Sequence, residues 1–199
     1  MSEQSRRQVP ASVATKLYAA SDVIAAKGLE NTKIEDIAKA SGVPKATLYY
    51  HFAGKDEILA FLLKDSLAVM AAEVADAADS AGSGRDRLAA VIRVHVQHTM
   101  RRPGSSRALV GDLGRAIRLP ELATAVQEVF YDPITRVLRA GAEDGSLRAV
   151  RDPGSDAVSI FGAVILTAML HNVIDSETSE KTVADGVVEL LMNGLAPSG

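Results

Sequence analysis

The 199-residue chain has no cysteine and no tryptophan, and its aromatic residues amount to four Phe and four Tyr. The missing thiols exclude a disulfide framework, a thiolate zinc site and a cysteine nucleophile. Met1 to Ala14 lack a signal-peptide pattern, so a cytoplasmic protein is expected. Long hydrophobic runs are scarce as well. The most apolar stretch, Ala157 to Leu170, is interrupted by Ser159 and Thr167 and falls short of the ~20 residues that cross a bilayer. It reads as a buried helix, and no membrane partner is expected.

What is present suits a globular chain: 47% apolar and 24% charged residues, proportions that can bury a core. The net charge of −3 is unevenly spread. Residues 1–64 carry nine Lys or Arg against seven Asp or Glu, a net +2 that leaves −5 for the remainder. A basic head on an acidic body fits phosphate binding by one end only.

Residues 1–10 have no apolar periodicity and read as a flexible arm with Arg6 and Arg7 as its basic residues. Val13, Leu17, Ala20 and Ile24 recur at helical spacing, which predicts one helix from Ala11 to Lys27, stopped by a left-handed Gly28. Thr32 and Glu35 have the spacing of a capping box and open a second helix with Ile34, Ile37, Ala38 and Ser41 on its buried face. Gly42 breaks it, and Pro44 fits the first turn of a short third helix, Lys45 to Phe52. A longer helix follows from about Lys55 to Ala78. Further helices are expected at about 85–101, 105–118, 121–144, 154–175 and 179–195, with the one over 121–144 kinked or restarted at Pro133 with Asp132 as cap. No segment alternates like a strand. The expected fold is all-α, with a three-helix head carrying a helix-turn-helix (11–54) and a larger helical body (55–199) for ligand binding and dimerisation.

The segment IEDIAKASGVPKATLYYHFAGKDEIL, residues 34–59, carries the functional signal. A helix that reads the major groove must be short, held from behind and lined with donors. Leu48 and Phe52, four apart, face the preceding helix, while Lys45, Thr47, Tyr49 and Tyr50 project elsewhere. Hydroxyls and an ammonium reach phosphates, and Ala46 or the Thr47 methyl can touch a thymine methyl. His51 and Lys55 lie at the reader's end, placed for backbone phosphates. Three of the eight Phe and Tyr residues fall within positions 49–52, a concentration that a generic bundle core does not call for.

Gly42-Val43, Thr47-Leu48-Tyr49-Tyr50-His51-Phe52 and Lys55 resemble the signature of tetracycline-repressor (TetR/AcrR) regulators. Ala19-Ala20, Lys27-Gly28 and Asp36-Ile37-Ala38 fall in register with it. The resemblance is specific over residues 13–64 and thins to architecture beyond, where Ala140-Gly141 and Gly145 to Arg148 resemble the turn before the penultimate helix. It implies DNA contacts by Thr32, Lys33, Lys45, Ala46, Thr47, Tyr49, Tyr50, His51 and Lys55, a homodimer through the last two helices, and release of a palindromic double-stranded operator when a small molecule enters the body. Two departures stand out. Glu35 occupies a position where members often carry Arg or another polar group, and its expected role is capping; Lys16 replaces a usually apolar residue and is expected to reach solvent.

The body's last two helices, about 154–175 and 179–195, are strongly apolar and read as a four-helix dimer interface. A pocket among the middle helices draws on His95, His98, Met100, Asp112, Phe130, Tyr131, Phe161, Met169 and Asn172, a set poor in charge that suits an apolar or weakly polar effector. His95 and His98 sit three apart without the pattern of a metal site, and Ser80 to Gly84 lacks the strand and Lys-Ser/Thr ending of a phosphate loop. No nucleophile elbow or metal motif supports an enzyme, and no cofactor is implied. The alternative to a ligand-responsive repressor is a DNA-binding protein with no effector.

Overall fold

The computed structural model describes residues 9–111, 120–174 and 177–195. Among these the secondary structure is helical, with no strand. Two compact units emerge: Met1–Ser66 with Gly104–Leu122, and Leu67–Pro103 with Ala123–Gly199. Asp112 and the first eight residues, with Arg6 and Arg7, lie outside the described residues.

In the first unit, α1 (Ala11–Leu17) and α2 (Ala19–Lys27) divide the expected first helix at Tyr18, whose own backbone stays right-handed at φ −56°, ψ −31°. The Tyr18 hydroxyl donates to the Asp65 carboxylate, tying the break to α5 (Lys55–Ala78). Leu17, Ala20 and Ile24 are buried and Lys16 is exposed, so the lysine reaches solvent without disturbing the apolar face. Gly28 has φ +73° but an extended ψ of 151°; the left-handed cap occurs instead at Gly42 (φ +66°, ψ 15°), after α3 (Ile34–Ser41).

The start of α3 also differs from the sequence expectation. Thr32 is buried and its hydroxyl donates back to Gly28 O at 2.8 Å. The cap lies one residue on: the Lys33 N–H donates to Asp36 Oδ2 at 3.0 Å, while Asp36 Oδ1 accepts from Lys27 Nζ at 2.9 Å. The Lys27 ammonium and then the Lys33 N–H hold the Asp36 pKa below its usual value. Pro44 is the cap residue of α4 (Lys45–His51) rather than its first turn.

The second unit is organised on α6 (Gly84–Arg101), which packs against α9 (Asp132–Glu143), α10 (Pro153–Ile174) and α11 (Glu180–Leu195). Ser83 and Asp86 cap it reciprocally at 3.2 and 3.0 Å. The Asp144 carboxylate accepts the Gly84 N–H at 2.7 Å, and Ser146 Oγ accepts that of Arg85 at 3.0 Å, so the turn after α9 satisfies the free amides of α6. α7 (Pro103–Gly111) and α8 (Pro120–Val126) complete the described helices.

The chain does not break and restart at Asp132. From α8 it passes through one π-helical turn, Gln127–Tyr131, into α9, with the Asp132 N–H donating to Gln127 O five residues back and the backbone right-handed throughout. Pro133 explains the turn. Its missing N–H deprives Val129 O of the donor an α-helix would supply, and His95 Nε2 fills the gap at 3.2 Å.

By length and composition α10 could cross a membrane. Ala157, Ile160, Phe161, Val164, Ile165 and Ala168 are nonetheless buried within the unit, as a core helix requires.

The α6–α9 crossing depends on Gly84, where a Cβ would come within 2.3 Å of Gly141 Cα and 2.4 Å of its N. Backbone cannot yield as a flexible side chain can. Gly84→Ala is expected to lower unfolding free energy by about 1–3 kcal/mol; a urea titration showing no loss contradicts this packing.

Candidate nucleic-acid interface

The reader helix α4 divides cleanly. Leu48 and the following Phe52 are 1% and 4% exposed, whereas Tyr49 and Tyr50 are 60% and 57% exposed. Phe52 leaves the helix in an extended conformation and packs against Phe61 of α5, ring centroids 5.4 Å apart and planes tilted by 60°. The Tyr50 ring meets His51 edge-on at 4.9 Å. Lys45 and Ala46 are exposed and Thr47 is half-buried, so with the two tyrosines they form one outward surface. At the next junction Glu57 accepts the Ala53 N–H at 2.6 Å and starts α5.

The remaining sequence-predicted DNA residues have other places. Lys33 is exposed at the start of α3, but Thr32 is inside and offers no side chain to solvent. Lys55 is half-buried, and its ammonium donates to Glu30 O at 2.8 Å and Thr32 O at 3.2 Å, so it closes the α2–α3 loop from α5. His51 Nδ1 is buried without a hydrogen-bond partner among the described residues.

Glu35 does not cap α3. Its carboxylate accepts from Lys45 Nζ at 3.0 Å, with both side chains more than half exposed. The hydrogen bond lowers the Glu35 pKa and raises that of Lys45, so both stay charged at neutral pH. The Lys45 ammonium is thereby paired in the free protein.

In the second unit the predicted pocket residues separate into two groups. His95, Phe130, Tyr131 and Phe161 form a ring cluster: His95–Phe130 at 4.7 Å, Phe130–Phe161 at 4.6 Å and Tyr131–Phe161 at 5.4 Å. Burial raises the Tyr131 pKa. One turn further along α6, His98 is 5% exposed and Asn172 Nδ2 donates to Met100 O at 3.3 Å, while Met100, Met169 and Asn172 are half-buried. A cleft of about 670 Å3 contains none of these residues. It lies along α5, the π-turn and α9, over Ala71, Ala75 and Ala140 with Arg136, Arg139 and Glu143 at its sides. Alanines spaced four apart look like ordinary helix surface, and local spacing carries no sign of such a cleft.

A short helix anchored by two buried residues, with hydroxyls and cations outward, defines a helix-turn-helix DNA-binding protein. The family described as "Bacterial regulatory proteins, tetR family" matches residues 17–62. The chain is 24% identical over 180 residues to the fatty acid metabolism regulator protein of Bacillus subtilis strain 168, covering 89% of this chain and 92% of that one. It is 31% identical over 137 residues to the transcriptional repressor KstR2 of Rhodococcus jostii RHA1, 65% of each chain. The same fold occurs in the ketosteroid regulator KstR2 of Mycobacterium tuberculosis (TM-score 0.81, 21% identity, 96% and 98% of the two chains). It recurs in FadR of B. subtilis with stearoyl-CoA (0.73, 23%, 91% and 98%) and in AibR with isovaleryl coenzyme A and operator DNA (0.73, 23%, 90% and 97%). Residues 17–62 form a DNA-binding head of the tetR family, and the whole chain has the fold of the regulators above.

The Glu35–Lys45 pair is open to a direct test. Glu35→Gln frees the Lys45 ammonium in each subunit, so affinity for duplex DNA should rise severalfold at low salt and the salt dependence should steepen; unchanged affinity means that the pair does not mask Lys45. In the second unit, burial pushes the His95 pKa down from 6.5 to about 4. The unfolded chain therefore binds the proton first: stability is fully present above pH 6.5 and about 3 kcal/mol is lost as pH falls towards 4. Burial lowers the His98 pKa in the same direction. NMR titration should find the His95 ring neutral at pH 5.5, and titration near 6.5 contradicts its burial.

Proposed function

We propose that the chain is a homodimeric repressor that leaves its operator when an acyl-coenzyme A thioester binds the helical body. The DNA surface carries the reading: two exposed tyrosines beside Lys45 and Thr47 on a helix whose opposite face is buried. Residues 11–54 read DNA in this account, and 55–199 bind effector and dimerise. Within that surface Lys45, Ala46, Thr47, Tyr49, Tyr50 and Lys33 touch DNA, His51 lies at its edge, and Thr32 and Lys55 hold the loop from behind. The protein acts by binding rather than catalysis, in the cytoplasm where its operator lies.

Support for the dimer comes from α10 and α11. Val158, Leu166, Leu170, Val173 and Ile174 on α10 and Leu190 on α11 are 43–78% exposed, large apolar side chains that water would otherwise cover. Gly162 and Gly186 meet no neighbouring atom within 4 Å of a built Cβ, which leaves room for close approach by a second copy. Two reader helices about one DNA turn (~34 Å) apart then fit a palindrome, and an effector that prefers another spacing releases it.

Support for the effector class comes from FadR with stearoyl-CoA and AibR with isovaleryl coenzyme A, which share this fold. The apolar ring cluster of Phe130, Tyr131 and Phe161 suits an acyl chain.

The full chain should show a saturable rise in Tm with palmitoyl-CoA or isovaleryl-CoA and none with coenzyme A alone. No response to either thioester removes the acyl-CoA reading. Leu166→Asp combined with Val173→Asp should sediment as a folded monomer with at least ten-fold weaker operator binding; a dimer of unchanged affinity moves the interface elsewhere.

A further inference from the structure

His98 is buried yet unused by the packing that employs its neighbour. One turn before it on α6, His95 has a clear structural role, closing the carbonyl that Pro133 leaves open. His98 Nε2 closes nothing comparable. Its ring is 5% exposed, and this nitrogen is buried without a hydrogen-bond partner among the described residues. On the ring's other side, Nδ1 lies 3.9 Å from the Glu73 carboxylate of α5, too far for a hydrogen bond but close enough to set the tautomer. A carboxylate there favours the proton on Nδ1, which makes Nε2 a bare acceptor.

The ring also stays neutral. Burial, followed by the Arg102 guanidinium, lowers its pKa; Glu73 opposes this, and Arg101 adds to the lowering. Arg101 itself is engaged with Glu180 at 2.7 Å. A neutral imidazole with Nδ1 turned to a carboxylate cannot use Nε2 as a donor, and buried acceptors are almost always matched. The partner required is an N–H or O–H group.

We infer that His98 Nε2 is the specificity-determining acceptor of the effector site and receives a hydrogen bond from an amide N–H or hydroxyl of the effector. The inference rests on the acyl-CoA reading above and sharpens it. A fatty acid ionised at neutral pH has no donor to offer, whereas the pantetheine arm next to the thioester carries two amide N–H groups and a hydroxyl. The ring cluster of Phe130, Tyr131 and Phe161 suits the chain, and His98, nearer the C-terminal end of α6, marks where the polar arm begins. Selection against the free acid follows, because the acid would leave the buried acceptor unmatched.

The test compares palmitoyl-CoA with palmitate on the full chain by calorimetric titration. His98→Leu should weaken palmitoyl-CoA binding about ten-fold and leave palmitate unchanged, and His98→Gln, which keeps an acceptor oxygen, should bind palmitoyl-CoA within about three-fold of the original chain. Equal palmitoyl-CoA affinity of His98→Leu and the original chain overturns the inference, as does an equal loss for palmitate, which marks a packing role. A readout on the unaltered chain covers the case in which His98→Leu does not fold. The 15N shift of His98 Nε2 should move in the direction of a hydrogen-bonded acceptor on adding palmitoyl-CoA and not on adding palmitate, and an unmoved shift in a saturated complex overturns the inference. If the unaltered chain binds neither palmitoyl-CoA nor isovaleryl-CoA, the acyl-CoA reading fails and this inference falls with it. If it binds either thioester while His98 is indifferent, the inference alone fails.

Discussion

A helix of seven residues does not persist in water by itself, so the DNA-reading surface depends on the burial of Leu48 and Phe52. These two side chains fix the rotation of α4 and thereby decide that Tyr49 and Tyr50 face outward. Everything around them serves that anchorage. Phe61 packs against the Phe52 ring, Gly42 lets the chain turn with a left-handed backbone, and Lys55 closes the α2–α3 loop by its two carbonyl contacts. A buried pair of this kind contributes roughly 1.5–3 kcal/mol per side chain, more than any exposed ion pair on the head's surface.

The reader's inside and outside were legible in the sequence because a four-residue spacing on a helix is unambiguous: Leu48 and Phe52 share a face, and Tyr49 and Tyr50 cannot. Its support was less legible. The Thr32–Glu35 spacing matched a capping box, but Lys33 and Asp36 one residue later compete for the same geometry, and Lys27 tips the balance by binding the second oxygen of Asp36. Glu35, released from capping, finds Lys45 ten residues away. A contact that depends on how two helices cross leaves no trace in local spacing.

The same holds in the body. Pro133 announced a disturbance, yet whether a proline kinks, ends or is absorbed depends on what can satisfy the carbonyl four residues back. Here it is His95, distant in sequence, and the helix continues through a π-turn. That pairing explains why one of two histidines on α6 is structural. The other, with a carboxylate 3.9 Å from one nitrogen and no hydrogen-bond partner on the second among the described residues, is the one inferred to meet the effector.

Large apolar or aromatic side chains reach solvent mainly in two places among the described residues, the tyrosines of α4 and the outer faces of α10 and α11, with Val69 apart. In the proposed function one meets DNA and the other a second copy, and the symmetry of the second dictates the symmetry of what the first reads. Selection of bound sequences from random duplex DNA by the full chain tests this most directly. The account predicts enrichment of an inverted repeat whose half-site centres lie about one helical turn, or a multiple of it, apart; enrichment of a single unrepeated site, or of none, contradicts it.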